Sequence, residues 1–291
     1  MRAHTLLPQV TGQRRIQEGA IEDGLLLILL GLFKKVVIAD NMAPIASAMF
    51  FRLTAKDGPP LSGGEVWVGL YAFAFQIYGD FSGYSSIARG ISKWLGYELI
   101  LNFRMPYLAV SPADFWRRWH ISLSTWLRDY LYIPLGGNRG AKWLTYRNLM
   151  LTMLLGGLWH GASWTFVAWG FYHGALLCAF RLLGIRDVSA QGDLKNKIVW
   201  LFRVAVMFHL TCFGWLLFRA ESFGAILSAC QIMLARPAFP PLALTTFAII
   251  FSIARCFLRS NGRWTAKFGC ANSTKARGSR ARRFMVIFCS C

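Results

Sequence analysis

The sequence predicts an all-α integral membrane domain, and three observations carry that prediction. Of 291 residues, 55% are hydrophobic and only 15% charged, whereas a soluble domain is nearer about a quarter charged. The aromatic load of 12 Trp, 9 Tyr and 23 Phe suits interfacial belts and apolar pockets better than a small soluble core. Basic residues flank apolar runs whose lengths approach or exceed the roughly 20 residues a helix needs to cross hydrocarbon. Mean hydropathy is +0.42.

The formal charge of +19 at pI ≈ 10.2 first suggests nucleic acid, but no recognition module accompanies it. Its placement around apolar runs fits loops that face anionic lipid, so membrane lipid is the expected partner and nucleic acid is not. Nine basic residues and no acidic one fall between Arg255 and Arg283, making a basic tail. The 7 cysteines include no CxxC pair, which argues against a disulfide scaffold and a zinc site. Met1 to Ala20 is polar and reads as no signal peptide, so insertion is expected to use internal segments.

In chain order, the apolar run from Leu25 to Phe33 meets Lys34-Lys35. The paired lysines suggest a helix reaching the cytoplasmic interface there, or an in-plane helix that snorkels them. Asp57-Gly58-Pro59-Pro60 and Ser62-Gly63-Gly64 are loop signals. Val66 to Tyr78 is apolar and aromatic, and Gly79 to Ser86 then reads as a polar break. Asp80 in that break is either a site residue or a satisfied structural carboxylate.

Between Asn102 and Gly140 no apolar run is long enough to cross, which predicts short interfacial or re-entrant helices. Asp114 is expected to cap a helix from Phe115 onward. On such a helix Trp116, His120 and Ser124 would share a face at i, i+4 and i+8, with Arg117 and Arg128 pointing elsewhere. Asn148 to Leu183 is apolar over 36 residues. As one helix it would extend about 54 Å against about 30 Å of hydrocarbon, so a break is required. His160-Gly161-Ala162-Ser163 supplies it, predicting a broken helix or hairpin. The loops on either side, with Arg139, Lys142 and Arg147 before and Arg181, Arg186, Lys195 and Lys197 after, are both basic. If both are cytoplasmic, His160 lies near an apex inside the membrane, about 18 Å up its arm. Ile198 to Phe218 reads as a conventional span, a short amphipathic piece follows, and Leu242 to Leu258 can span again. From Asn261 the chain reads as disordered.

An ionisable residue in a membrane-length apolar run is a functional-site hypothesis by default. His160 has two readings: a structural histidine bonding a carbonyl freed by the break, or a general base able to take a proton from a hydroxyl. His120 faces the same choice. His173 lies 13 residues beyond His160, about 20 Å along a continuous helix, and is not expected in the same site. His209 is expected to be structural and His4 exposed. No GxSxG, HExxH, Walker or Rossmann pattern occurs, and no convincing glycosidase carboxylate pair. Histidine-based proton transfer within a membrane remains, which suits acyl transfer to a hydroxyl or proton-coupled transport.

Several stretches together carry a resemblance: Asn102 to Leu108, Asp114 to Ser124, Trp126 to Asn138, and Trp159-His160-Gly161-Ala162, with Gly31 to Asn41 and Gln76 to Ser85. They resemble the membrane-bound O-acyltransferase (MBOAT) family over Leu6 to about Phe223, in the branch that O-acetylates alginate. That resemblance implies a ring of transmembrane helices around a tunnel, with short re-entrant and interfacial helices. It also implies a ring incomplete at both ends, with residues 1–260 as a partial transmembrane domain and 261–291 as a tail foreign to the family. It implies a multi-pass protein of the bacterial inner membrane. His160 matches the family's catalytic histidine and His120 its second. Trp116, Ser124, Trp159 and Asp80 are expected to line the tunnel or substrate path. The implied co-substrate is an acyl thioester (acetyl-CoA or an acyl carrier), with no tightly bound cofactor and no metal. The implied acceptor is an exported polysaccharide such as alginate, with periplasmic acetylation proteins as partners. The alternatives are D-alanyl transfer to a cell-wall polymer and a proton-coupled transporter using the same histidines.

Overall fold

The computed structural model describes residues 2–13, 16–55, 60–191, 193–241, 243–248 and 250. All fall in one compact unit, Met1–Ile250; the second unit, Phe251–Cys291, lies outside the described residues. The expected tail from Asn261 therefore lies outside them, as does most of the expected span Leu242 to Leu258. The described residues form helices and no strand, in agreement with the all-α expectation.

A short first helix, α1 (Ala3–Thr11), precedes α2 (Ala20–Leu32). α2 continues without a loop through a wide π-helical stretch, Phe33–Ala39, into α3 (Asp40–Thr54). The lysine pair therefore does not mark a helix end. Lys34 turns inward and donates to Ser86 Oγ at 3.2 Å, while Lys35 turns outward to Asp40 and Asp80 at 3.0 and 2.9 Å.

All three segments pack on α4 (Gly63–Trp94), a 32-residue helix about 48 Å long. A reciprocal cap starts it: Ser62 Oγ accepts from Glu65 N–H, and Glu65 Oε2 accepts from Ser62 N–H. The expected polar break from Gly79 to Ser86 does not occur, because its small residues serve a helix seam instead. A Cβ on Gly83 would sit 2.8 Å from Gly31 O, and one on Gly31 would sit 2.6 Å from Gly83 O. Only glycine permits backbones to approach this closely, the small-residue packing familiar between membrane helices.

After α4 come a 3₁₀ turn (Pro106–Leu108), α5 (Pro112–Arg118), α6 (Ile121–Leu127) and a wide turn (Arg128–Tyr132). These are the short helices the sequence predicts, with two corrections. Ser111, not Asp114, caps α5: its Oγ accepts from Asp114 N–H at 3.1 Å. Asp114 lies inside the first turn and reaches back to accept from Val110 N–H. Nor do Trp116, His120 and Ser124 ride one helix. His120 adopts a left-handed backbone at φ 42°, which ends the helical register between α5 and α6.

α7 (Lys142–His160) and α8 (Trp164–Leu182) form the expected hairpin. Gly161 makes the break at φ 156° and ψ 160°, a region open in practice only to glycine. α9 (Leu194–Arg219) packs on α8 and α4, and α10 (Phe223–Ala235) packs back on α4 and α3. Among the described residues α9 is the one helix both long and apolar enough to cross a membrane.

Candidate active site

A cavity of about 120 Å³ lies where α5, α6, the α7–α8 hairpin, α9 and the middle of α4 converge, and both His120 and His160 line it. Each histidine stands at a discontinuity. His160 ends α7 beside Gly161, and His120 occupies the left-handed turn before α6. A non-glycine residue at positive φ costs energy that its surroundings must offset. Asn102 supplies part of that support: its carbonyl accepts from Ile121 N–H at 3.0 Å and its side-chain oxygen from Ser122 N–H at 3.1 Å.

Aromatic rings fix both imidazoles. Phe81 of α4 lies edge-on to His120 with ring centroids 4.7 Å apart, and Phe103 stacks at 6.5 Å. Trp169 of α8 and Phe218 of α9 lie edge-on to His160 at 5.2 and 5.0 Å. The rest of the wall is apolar, including Leu123, Leu127 and Met153. No carboxylate is among the described residues lining it. An imidazole in such a pocket can take a proton from a hydroxyl and later return it to a leaving group.

Of the residues expected at the site, His160, His120 and Trp116 come together on this cavity. Ser124, Trp159 and Asp80 do not line it. Ser124 Oγ is committed to the Trp119 carbonyl at 2.9 Å, because the turn at His120 rotates α6 away from the register of α5. Trp159 packs on His160 but turns outward, 60% exposed, since adjacent positions of α7 point about 100° apart. Asp80 is held on the outer side of α4 by Lys35.

His173 stays out of the cavity, as its distance along the chain from His160 leads one to expect. It sits buried one turn beyond Trp169 on α8, against Trp169 and Trp116 at 4.9 and 5.2 Å. His209 is structural, as expected: its Nδ1–H donates to Ala205 O, leaving Nε2 to accept from Tyr71 Oη, both at 2.8 Å. Arg117 and Arg118 end α5 on carboxylates, Arg117 on Asp187 and Arg118 on Asp114.

Sequence reasoning missed Trp169, Trp215, Phe218, Met153 and Phe81, all of which line the cavity. The hairpin itself offered one signal, because a chain that reverses at Gly161 brings the second turn of α8 alongside the end of α7. Nothing local to α4 or α9 announces their approach.

A sequence model of the MBOAT, membrane-bound O-acyltransferase family, matches residues 5–219. The probable alginate O-acetylase AlgI of Azotobacter vinelandii is 50% identical over 200 residues, covering 69% of this chain and 38% of that protein. The peptidoglycan O-acetyltransferase of Helicobacter pylori is 42% identical over 210 residues, 72% of this chain and 38% of that protein. The teichoic acid D-alanyltransferase of Bacillus subtilis is 29% identical over 161 residues, 53% and 41% of the two chains. The chain thus spans about two fifths of the length of these curated relatives.

Proposed function

The chain belongs to the membrane-bound O-acyltransferase family, and from that premise we propose that it transfers an acetyl group from a thioester donor to a hydroxyl of an exported polysaccharide such as alginate. His160 is the general base that deprotonates the acceptor hydroxyl as it attacks the acyl carbon, and His120 supports it. The donor, acetyl-CoA or an acyl carrier, is a co-substrate that arrives from the cytoplasm. The acceptor is outside, and periplasmic acetylation proteins act on the same polymer. The protein is a multi-pass component of the bacterial inner membrane. Its helices contribute to a ring around a tunnel that opens on both faces at His160.

The observation that carries this reading is the pair of histidines, forty residues apart in sequence, on one small apolar cavity. Its size supports a short acyl group: a dry cavity of about 150 Å³ holds a benzene-sized molecule. About 120 Å³ is therefore room enough for an acetyl group. The second reading is D-alanyl transfer, which the Bacillus subtilis relative's name raises. It is less well supported, because an alanyl ammonium would enter a wall with no carboxylate to pair it.

The test uses membranes containing the chain and a labelled acetyl thioester. Loss of transfer to polysaccharide in His160→Ala, with membrane insertion intact, is expected; transfer retained at wild-type rate removes the assignment. A proton-coupled transporter would instead move solute with no covalent product, and label on D-alanyl but not acetyl donor would select the second reading.

A further inference from the structure

α7 carries two adjacent glycines, Gly156 and Gly157, and their surroundings differ. A Cβ on Gly157 would stand 2.3 Å from the Phe166 carbonyl oxygen, and one on Gly170 of α8 would stand 2.4 Å from the Met153 carbonyl oxygen. Those two glycines let the arms of the hairpin close on one another. Gly156 has no such reason. Beyond its own stretch of helix, its Cβ would meet one atom within 4 Å, Leu127 Cδ1 at 3.4 Å, which is ordinary van der Waals contact. Glycine in mid-helix is less stable than alanine, and alanine would fit here. What distinguishes Gly156 is the cavity, which it lines together with Leu127.

Gly156 lies four residues before His160, so the two share a face of α7 about 6 Å apart along its axis. Met153 lines the same cavity three residues earlier, and Leu123 and Leu127 bring α6 to it. An added methyl at position 156 would point at Leu127. The gap between α6 and this face of α7 is therefore open because residue 156 has no side chain. Among the described residues the lining has no carboxylate, hydroxyl or amide side chain. A sugar ring held there would leave hydroxyls unpaired, which is costly, whereas an alkyl chain gains by leaving water.

We propose that Gly156 sets the length of acyl chain the site takes, its missing side chain leaving room between Leu127 and the last turns of α7 for the tail of a short acyl group. This rests on the acyl-transfer reading above and deepens it by naming where the acyl tail sits. With the thioester carbonyl carbon beside His160, the tail lies along the face of α7 that carries Gly156 and Met153, against Leu127. An acetyl methyl fills part of that space, and each further methylene uses more of it. Gly156 makes and breaks no bond; it acts only on which donor fits.

The test sets acetyl-pantetheine against propionyl-pantetheine as competing donors in membranes containing the wild type, Gly156→Ala, Leu127→Ala or the double variant. One methylene in an apolar pocket is discriminated by about 10- to 200-fold. Gly156→Ala is therefore expected to insert normally and to lower the propionyl-to-acetyl ratio of kcat/KM by about tenfold or more. Leu127→Ala is expected to raise the ratio. The double variant should return it to within about threefold of wild type, because the methyl added on α7 takes up space vacated on α6. Leu155→Phe, which adds bulk on the exposed side of α7, is the control and should leave the ratio where it is. A wild-type ratio in Gly156→Ala overturns the proposal while leaving acyl transfer intact. So does a fall that Leu127→Ala fails to relieve, or a Gly156→Ala chain that does not insert, since either means the Cβ met packed structure and not open space. A second measurement needs no turnover: binding of the ketone analogues of the two donors, with CH2 for sulfur. Gly156→Ala is expected to weaken the propionyl analogue about tenfold more than the acetyl one, and equal weakening, or none, overturns the proposal. A wild type that transfers neither acyl group and binds neither analogue removes the acyl-transfer reading, and this one falls with it.

Discussion

Phe81, just past the middle of α4, presents its ring to the edge of His120 with centroids 4.7 Å apart and planes at 78°. A residue 39 positions upstream thus sets the attitude of the second histidine. Aromatic pairs of this kind contribute about 0.5–1.5 kcal/mol beyond area burial. In Phe81→Ala, acetyl transfer is expected to fall about three- to tenfold while the chain still inserts. Phe81→Tyr should retain more than half the activity. Transfer assays on matched membrane preparations check both.

Asn102 ties down the turn that carries His120 through its side-chain oxygen on Ser122 N–H. Asn102→Ala removes one such bond at a cost of about 1 kcal/mol. It should lower the thermal midpoint of the solubilised chain slightly and the transfer rate more, because His120 loses its fixed direction. His120→Asn tests the backbone separately. Asparagine tolerates the left-handed region, so folding should survive while transfer drops.

Gly161→Ala should damage the hairpin through backbone strain at the turn itself. Its backbone conformation excludes a side chain, and the added Cβ would lie 2.9 Å from the Phe166 ring. Strain of this type costs about 1–3 kcal/mol. Limited proteolysis should find the α7–α8 turn more readily cut than in wild type.

Met153 is a buried part of the cavity wall. Met153→Ala should enlarge the cavity and shift donor preference towards longer acyl groups. The butyryl-to-acetyl rate ratio is expected to rise by about tenfold, with stability lower by roughly 2–5 kcal/mol. Competition between labelled donors reads the ratio directly.

Asp129, in the wide turn after α6, has its carboxyl held below the usual carboxylate range by the Arg128 guanidinium, with Arg2 contributing. A depressed carboxyl pKa gives stability that is complete above the unfolded value of about 3.9 and is lost as pH falls through the folded one. The attachment of α1 through Arg2 is therefore expected to be flat from pH 5 to 8 and to weaken only in stronger acid. Asp129→Asn should loosen it at neutral pH, read as faster amide exchange in α1.

Much of this architecture was legible from length arithmetic and punctuation. The α7–α8 reversal follows from an apolar run too long for one crossing with Gly161 inside it, and the short helices follow from runs too short to cross. The misreadings have a common physical source. Gly79, Gly83 and Lys34 look like interruptions in a single chain, and become seam residues only when a second helix lies against them. The same holds for Ser124, whose expected face assumed a helix that His120 interrupts. The cavity wall contributed by Phe81, Trp215 and Phe218 rests on pairings between distant segments, which a lone sequence does not encode in any local pattern.

The uninterrupted passage from α2 through Phe33–Ala39 into α3 sends two adjacent lysines to opposite destinations, one into the seam and one to Asp40 and Asp80. Each residue in a helix advances the direction of its side chain by about 100°. Losing or gaining one residue between positions 33 and 39 would swing every later contact of α3 off α4. In descendants of this gene, that stretch should accept changes of letter far more readily than changes of length.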